Sequence, residues 1–124
     1  MKAITINGDV WRVIRVPAGD PRLIDRTGTC RLATTDPKGR TISISEGVQP
    51  PLLDKVLLHE VTHAITVSYD LLRPMRESVP RHSWVPSEEW AVQLVENHAI
   101  EAVEAATIVL GRPVCVRGLC LPRE

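Results

Sequence analysis

One pentapeptide constrains this chain more than any other feature. His59-Glu60-Val61-Thr62-His63 reads H-E-x-x-H and lies inside an apolar run. Leu52, Leu53, Val56, Leu57 and Leu58 precede it; Ala64, Ile65 and Val67 follow it. Residues four apart on an α-helix project about 40° apart around the axis and one turn along it. A helix here sets His59 and His63 on one face, where they can share a cation. Glu60 projects about 100° further round, beside such a cation and not on it. There it is placed to take a proton from a water. A helix apolar on most sides is a core helix. Two imidazoles and a carboxylate inside one are costly unless paired or metal-bound.

The chain around this motif has 124 residues, which suits a single domain with a real core. Lys plus Arg equals Asp plus Glu at 15 each, so global charge argues for neither nucleic acid nor an anionic membrane as partner. No apolar stretch is long enough to span a bilayer, and the N-terminus has no signal-peptide pattern. The expected location is the cytoplasm. Cys30, Cys115 and Cys120 make an odd count, and the last two lack C-x-x-C spacing. They read as small buried or surface thiols, with a Cys115–Cys120 disulfide as the alternative.

Periodicity predicts an α+β fold, with three to five antiparallel strands in residues 2–45 packed on two main helices. Ala3 to Ile6 alternates, Asn7-Gly8 is a tight-turn signal, and Val10 to Val16 completes a hairpin. Cys30 to Thr34 and Arg40 to Ser45 read as a second pair around Asp36-Pro37-Lys38-Gly39. Ile42 and Ile44 share one face of the last strand. Thr41, Ser43 and Ser45 share the other, which reads as solvated or, alternatively, as lining a cleft.

Pro51 suits a helix's first turn, so the motif helix is expected over about 51–72. Residues 73–86 carry Pro74, Pro80 and Pro86 and read as a loop. That loop either covers the cleft and touches substrate or is an ordinary connector. Ser87 reads as the cap of a second helix over about 87–110, with Glu88 and Glu89 in its first turn and Gly111 as its stop. Residues 111–124 read as a tail, with a short strand near Val114 to Val116.

Zinc peptidase sites use three protein ligands and leave the fourth position to water. At 100° per residue, Val92, Val95, Ala99, Ala102 and Ala106 lie within about 40° of Glu88. Glu88 thus heads an apolar stripe that should face the first helix, and is the expected third ligand. Glu89 and Glu96 share a more solvated stripe and, with His98, are the fallbacks.

Together, His59-Glu60-Val61-Thr62-His63, the strand Arg40 to Ser45 and Glu88-Glu89-Trp90-Ala91 resemble a small zincin of the gluzincin order. They most resemble compact phage and prophage metallopeptidase domains of the ImmA/IrrE type, over roughly residues 40–100. In that family a glutamate three residues before a small residue opens the next helix, the spacing of Glu88 and Ala91. The resemblance implies a zincin-like domain over residues 1–124, one Zn²⁺ per chain, a peptide or protein substrate, and the host cytoplasm if phage-encoded.

The expected activity is hydrolysis of peptide bonds. His59, His63 and Glu88 hold zinc, and Glu60 is the general base for a metal-activated water. Tyr69, Arg81 and His82 are candidates for substrate or oxyanion contacts, and Trp84 and Trp90 for the cleft rim. The alternative is a zinc-stabilised, non-catalytic binding module of a phage regulatory or structural kind.

Overall fold

Asn7 and Gly8 have φ of 48° and 82°, a pair of left-handed residues that matches the twist of a two-residue hairpin. In the computed structural model, which describes residues 2–121, they join strand β1 (Lys2–Ile6) to β2 (Asp9–Val16) as expected. The whole is α+β: a mixed four-stranded sheet and three helices, with a small terminal hairpin.

The sheet order is β1-β2-β4-β3, with β3 at Ala33–Asp36 and β4 at Thr41–Ser45. The expectation of purely antiparallel strands is corrected: β2 and β4 run parallel, Arg12 beside Thr41 through Val16 beside Ser45. After β2 the chain makes a single 3-10 turn, Pro21–Leu23, and returns along the outer edge as β3. The β3–β4 hairpin reverses it again, so two reversals bring β4 alongside β2. β3 also starts later than Cys30, because Cys30 forms only an isolated bridge with Ile24.

Strand β4 is central and buried at every position. Ile42 and Ile44 join Trp11, Ala33, Val48 and Ala64 in the core. Thr41, Ser43 and Ser45 were expected to be solvated or along a cleft; both faces are in fact covered, and these three are buried. The 3-10 turn packs on β4, Leu23 is fully buried, and Leu32 C=O accepts from Ser45 N–H at 2.8 Å. Arg15 closes one end of the sheet by donating to the carbonyls of Ser45, Glu46 and Val48.

Helix α1 spans Leu52–Ser68, ending four residues before its expected limit of 72. Asp70 adopts φ 53°, a conformation that Asp tolerates better than most residues. The chain turns there into a short helix α2, Leu72–Ser78, inside the segment expected to be a loop. Helix α3 spans Trp84–Leu110 and starts three residues early. The reason is common to both: Pro74 and Pro86 are each the third residue of their helix, where a missing N–H breaks no hydrogen bond. Ser87 therefore lies within α3 instead of capping it. Gly111, at φ 67°, ends α3 as expected.

Beyond it, β5 (Val114–Val116) and β6 (Leu119–Leu121) pair under a Cys115–Cys120 disulfide. That pairing replaces the free thiols expected at both positions; Cys30 is free and exposed. Among the described residues no helix is long and apolar enough to cross a membrane.

Candidate metal centre

Helix α1 is fixed before any metal is considered. Leu53, Val56, Leu57, Val61 and Val67 pack against the sheet cluster. Trp11 Nε1 donates to Ser68 Oγ at 2.8 Å, and Asn7 Nδ2 to Ser68 C=O at 2.9 Å. With one face committed to the sheet, the helix turns His59 and His63 toward α3. Their Nε2 atoms are 3.3 Å apart.

Three glutamates of α3 meet them, each from a different direction. Glu89 contacts both inner nitrogens: Oε1 is 3.0 Å from His63 Nε2, and Oε2 is 3.5 Å from His59 Nε2. Glu88 Oε1 lies 3.3 Å from His63 Nδ1, and Glu96 Oε2 lies 3.3 Å from His59 Nδ1. Pairing His63 with Glu88 and His59 with Glu96 requires α3 to run antiparallel to α1. Glu88 and Glu96 then flank the imidazole pair along the helix axis, with Glu89 between them.

The outer contacts fix the inner chemistry. A carboxylate only accepts hydrogen bonds, so in the tautomer with its hydrogen on Nδ1 each ring donates to Glu88 or Glu96. Each Nε2 of a neutral ring is then a lone pair. Two such lone pairs and a carboxylate, all within 3.5 Å of one another, repel unless something positive lies among them. Among the described residues, neither Lys nor Arg forms an ion pair with Glu88, Glu89 or Glu96; their ion pairs are all to the imidazoles.

A proton partly substitutes. Burial alone lowers the His63 pKa, but the hydrogen bond to Glu88 and the charges of Glu89, Glu60 and Glu88 outweigh it and leave it raised. The His63 hydrogen bond draws the Glu88 carboxyl down against the opposing effect of burial, helped by the charges of His63, Arg26 and Arg76.

A divalent cation would resolve the repulsion more completely, and the separation of the two nitrogens is compatible with one. Ligands at about 2.05 Å in a tetrahedron stand about 3.3 Å apart. Here the two Nε2 atoms are 3.3 Å apart, and different oxygens of Glu89 lie 3.0 Å from His63 Nε2 and 3.5 Å from His59 Nε2. His59, His63 and Glu89 thus form a group able to hold a metal ion. The group includes Glu89, whereas the sequence pointed to Glu88 as the third ligand. Glu88 instead faces the far nitrogen of His63.

Glu60 is turned toward the sheet side and is only 8 % exposed. Thr35 Oγ1 donates to its Oε2 at 2.5 Å and lies 3.2 Å from its backbone carbonyl. Thr35 pairs with Ile42, so it shares the sheet face that packs on α1.

The remaining candidates stand apart. Tyr69 caps the end of α1 and is partly exposed. Arg81 stacks on Trp84, 5.7 Å from the ring centroid, with Arg76 at 5.2 Å. His82 and Trp90 are exposed, as is His98. Among the described residues none of Tyr69, Arg81, His82 or His98 hydrogen-bonds to the imidazoles or the four carboxylates. Two contributors were not foreseen in their roles. Thr35 carries no motif and becomes visible only through strand register. Glu96 had a faint signal, since it lies two helical turns from Glu89 and so on the same stripe.

Comparison with family models, with curated protein sequences and with solved structures finds no match to this chain.

Proposed function

We propose that the protein is a zinc-dependent peptidase with His59, His63 and Glu89 as its metal ligands. The observation that carries this reading is the convergence of two imidazole Nε2 atoms and one carboxylate within 3.5 Å. Two imidazole nitrogens and a carboxylate oxygen are a donor set that suits Zn²⁺, with the fourth position left for water or substrate. When bound, the ion acts as a Lewis acid on water and on a substrate carbonyl.

The chain's own groups supply the rest. Glu88 and Glu96 hold both rings in the Nδ1–H tautomer and direct each Nε2 inward. Glu60, next to His59 on the helix, takes the proton from water as its oxygen attacks the peptide carbonyl. It then returns that proton to the leaving amine as the C–N bond breaks. Thr35 holds the carboxylate of Glu60 in one orientation. A buried carboxylate with one hydroxyl donor and no cationic partner is suited to passing a proton.

A second reading has its own support. Among the described residues α3 contributes only Val92 to the fully buried set, so its attachment to α1 depends on the polar cluster. A metal there would also serve as a staple in a non-catalytic binding module.

Metal analysis of tag-free protein and the Glu60→Gln variant separate these readings. Peptidase function predicts one zinc per chain in both proteins. Hydrolysis of a mixed peptide library falls about 10²- to 10⁴-fold in Glu60→Gln. Equal hydrolysis by both would remove Glu60 from the chemistry. Zinc without hydrolysis in the wild type would leave the staple.

A further inference from the structure

The two long helices do not match in length. At 1.5 Å per residue, α3 with 27 residues is about 40 Å long and α1 with 17 is about 26 Å. Their register follows from the metal centre, where His63 meets Glu88 and His59 meets Glu96. Counting back from His59, the start of α1 at Leu52 falls beside roughly Val103 of α3. The last two turns of α3 therefore overrun α1 and lie toward the terminal hairpin, which α3 contacts through β5.

This overhang is apolar. Ile100 is 65 % exposed and Ile108 81 %; Leu110, Leu119 and Leu121 are each about half exposed. An open groove of about 660 Å³ runs between α3 and β6, lined by Ile100, Val103, Thr107, Ile108 and Leu121. Exposed aliphatic side chains gathered around one groove are the kind of surface that marks an interaction site. A standard interface needs about 800 Å² per partner, its rim being polar.

The rim has a self-complementary charge order. Glu101 and Glu104 precede Ile108, and Arg112 follows it. None of these charged groups forms an ion pair among the described residues, where the ion pairs lie elsewhere. A twofold axis near Ile108, perpendicular to α3, brings the Glu104 side of one copy toward the Arg112 side of the other, because Glu104 lies one turn before Ile108 and Arg112 just past the end of the helix. Each Glu104 then meets an Arg112, twice per interface, as an isologous contact requires. A parallel arrangement would instead set Glu104 against Glu104.

We propose that the C-terminal half of α3 and the β5–β6 hairpin form the interface of a twofold homodimer, with Ile108 at its centre and Glu104–Arg112 pairs at its rim. The occupant of the groove is a second copy of this chain. This surface is distinct from the metal centre, whose α3 residues Glu88, Glu89 and Glu96 lie in the N-terminal half of the helix.

Sedimentation velocity over a range of concentrations tests it. The wild type sediments at twice the mass of one chain at high micromolar concentration and dissociates on dilution. Ile108→Asp, at an exposed position that spares the fold, weakens the dimer by about thirtyfold or more. Glu104→Arg and Arg112→Glu each weaken it, and the double exchange recovers the wild-type constant. Circular dichroism confirms that each variant is folded. A wild type that is monomeric throughout overturns the proposal and leaves the groove to another protein. So does a double exchange no better than its single variants.

Discussion

Toward the sheet, α1 presents Leu53, Val56, Leu57, Ala64 and Val67 to a cluster that includes Trp11, Ile42 and Ile44. Toward α3, it presents His59 and His63 to three carboxylates. The first seam gains free energy from area removed from water and needs no further component. The second brings two imidazoles against three carboxylates and, on the proposed reading, coheres around a cation. One helix therefore belongs to an unconditional half of the molecule and a conditional half. Trp11→Ala attacks the first and should cost about 3–5 kcal/mol. Chelation attacks the second and should cost about 4 kcal/mol relative to free zinc at a thousandfold above its dissociation constant. Denaturant unfolding of both proteins, with zinc and with chelator, measures the two losses. They should add to within about 0.5 kcal/mol if the seams are independent. A wild type whose stability ignores chelation would end the distinction.

The conditional seam can be divided further. On the proposed assignment, Glu89→Gln removes a ligand, whereas Glu88→Gln and Glu96→Gln leave three ligands and disturb only the outer hydrogen bonds. Zinc affinity should fall most in Glu89→Gln, and by about 10- to 100-fold in each of the other two. Competition with a chromophoric chelator gives all three constants. If Glu88→Gln proves the most damaging, the third ligand is Glu88 after all and the separation between inner and outer carboxylates is wrong.

The two halves were not equally legible in the sequence. Apolar patterning located the motif helix, both long helices and the Asn7-Gly8 hairpin, because burial and turn chemistry act over a few neighbouring residues. The parallel pairing of β2 with β4 was not legible, since it depends on the path of residues 17–40 and leaves no local mark. The same path buries Ser43 and its neighbours, which alternation alone assigns to solvent. Prolines misled at α2 and at the start of α3, because a proline in a first turn looks like a breaker until the helix start is known. At the metal centre the H-E-x-x-H spacing brought His59 and His63 together on one face. The choice between Glu88 and Glu89 depends on how far α3 is rotated about its axis. Adjacent residues differ by about 100°, and packing against α1 sets that angle.

Thr35 joins the two halves, and its replacement should have the smallest effect of those considered. It sits on an edge strand of the unconditional half, yet its hydroxyl reaches Glu60, the group assigned to proton transfer. Thr35→Val keeps the shape and removes the donor. Hydrogen bonds to charged groups contribute about 1.5–3 kcal/mol, but a nearby water can replace part of the loss, so kcat should fall about tenfold. KM and zinc content should not change, because Thr35 hydrogen-bonds to none of the three proposed metal ligands. Thr35→Ser restores the donor and should restore kcat, an outcome that lost packing alone would not produce. If Thr35→Val instead lowers stability to the extent of a core substitution while leaving kcat intact, Thr35 belongs wholly to the sheet. The carboxylate of Glu60 would then be oriented by something on the α3 side.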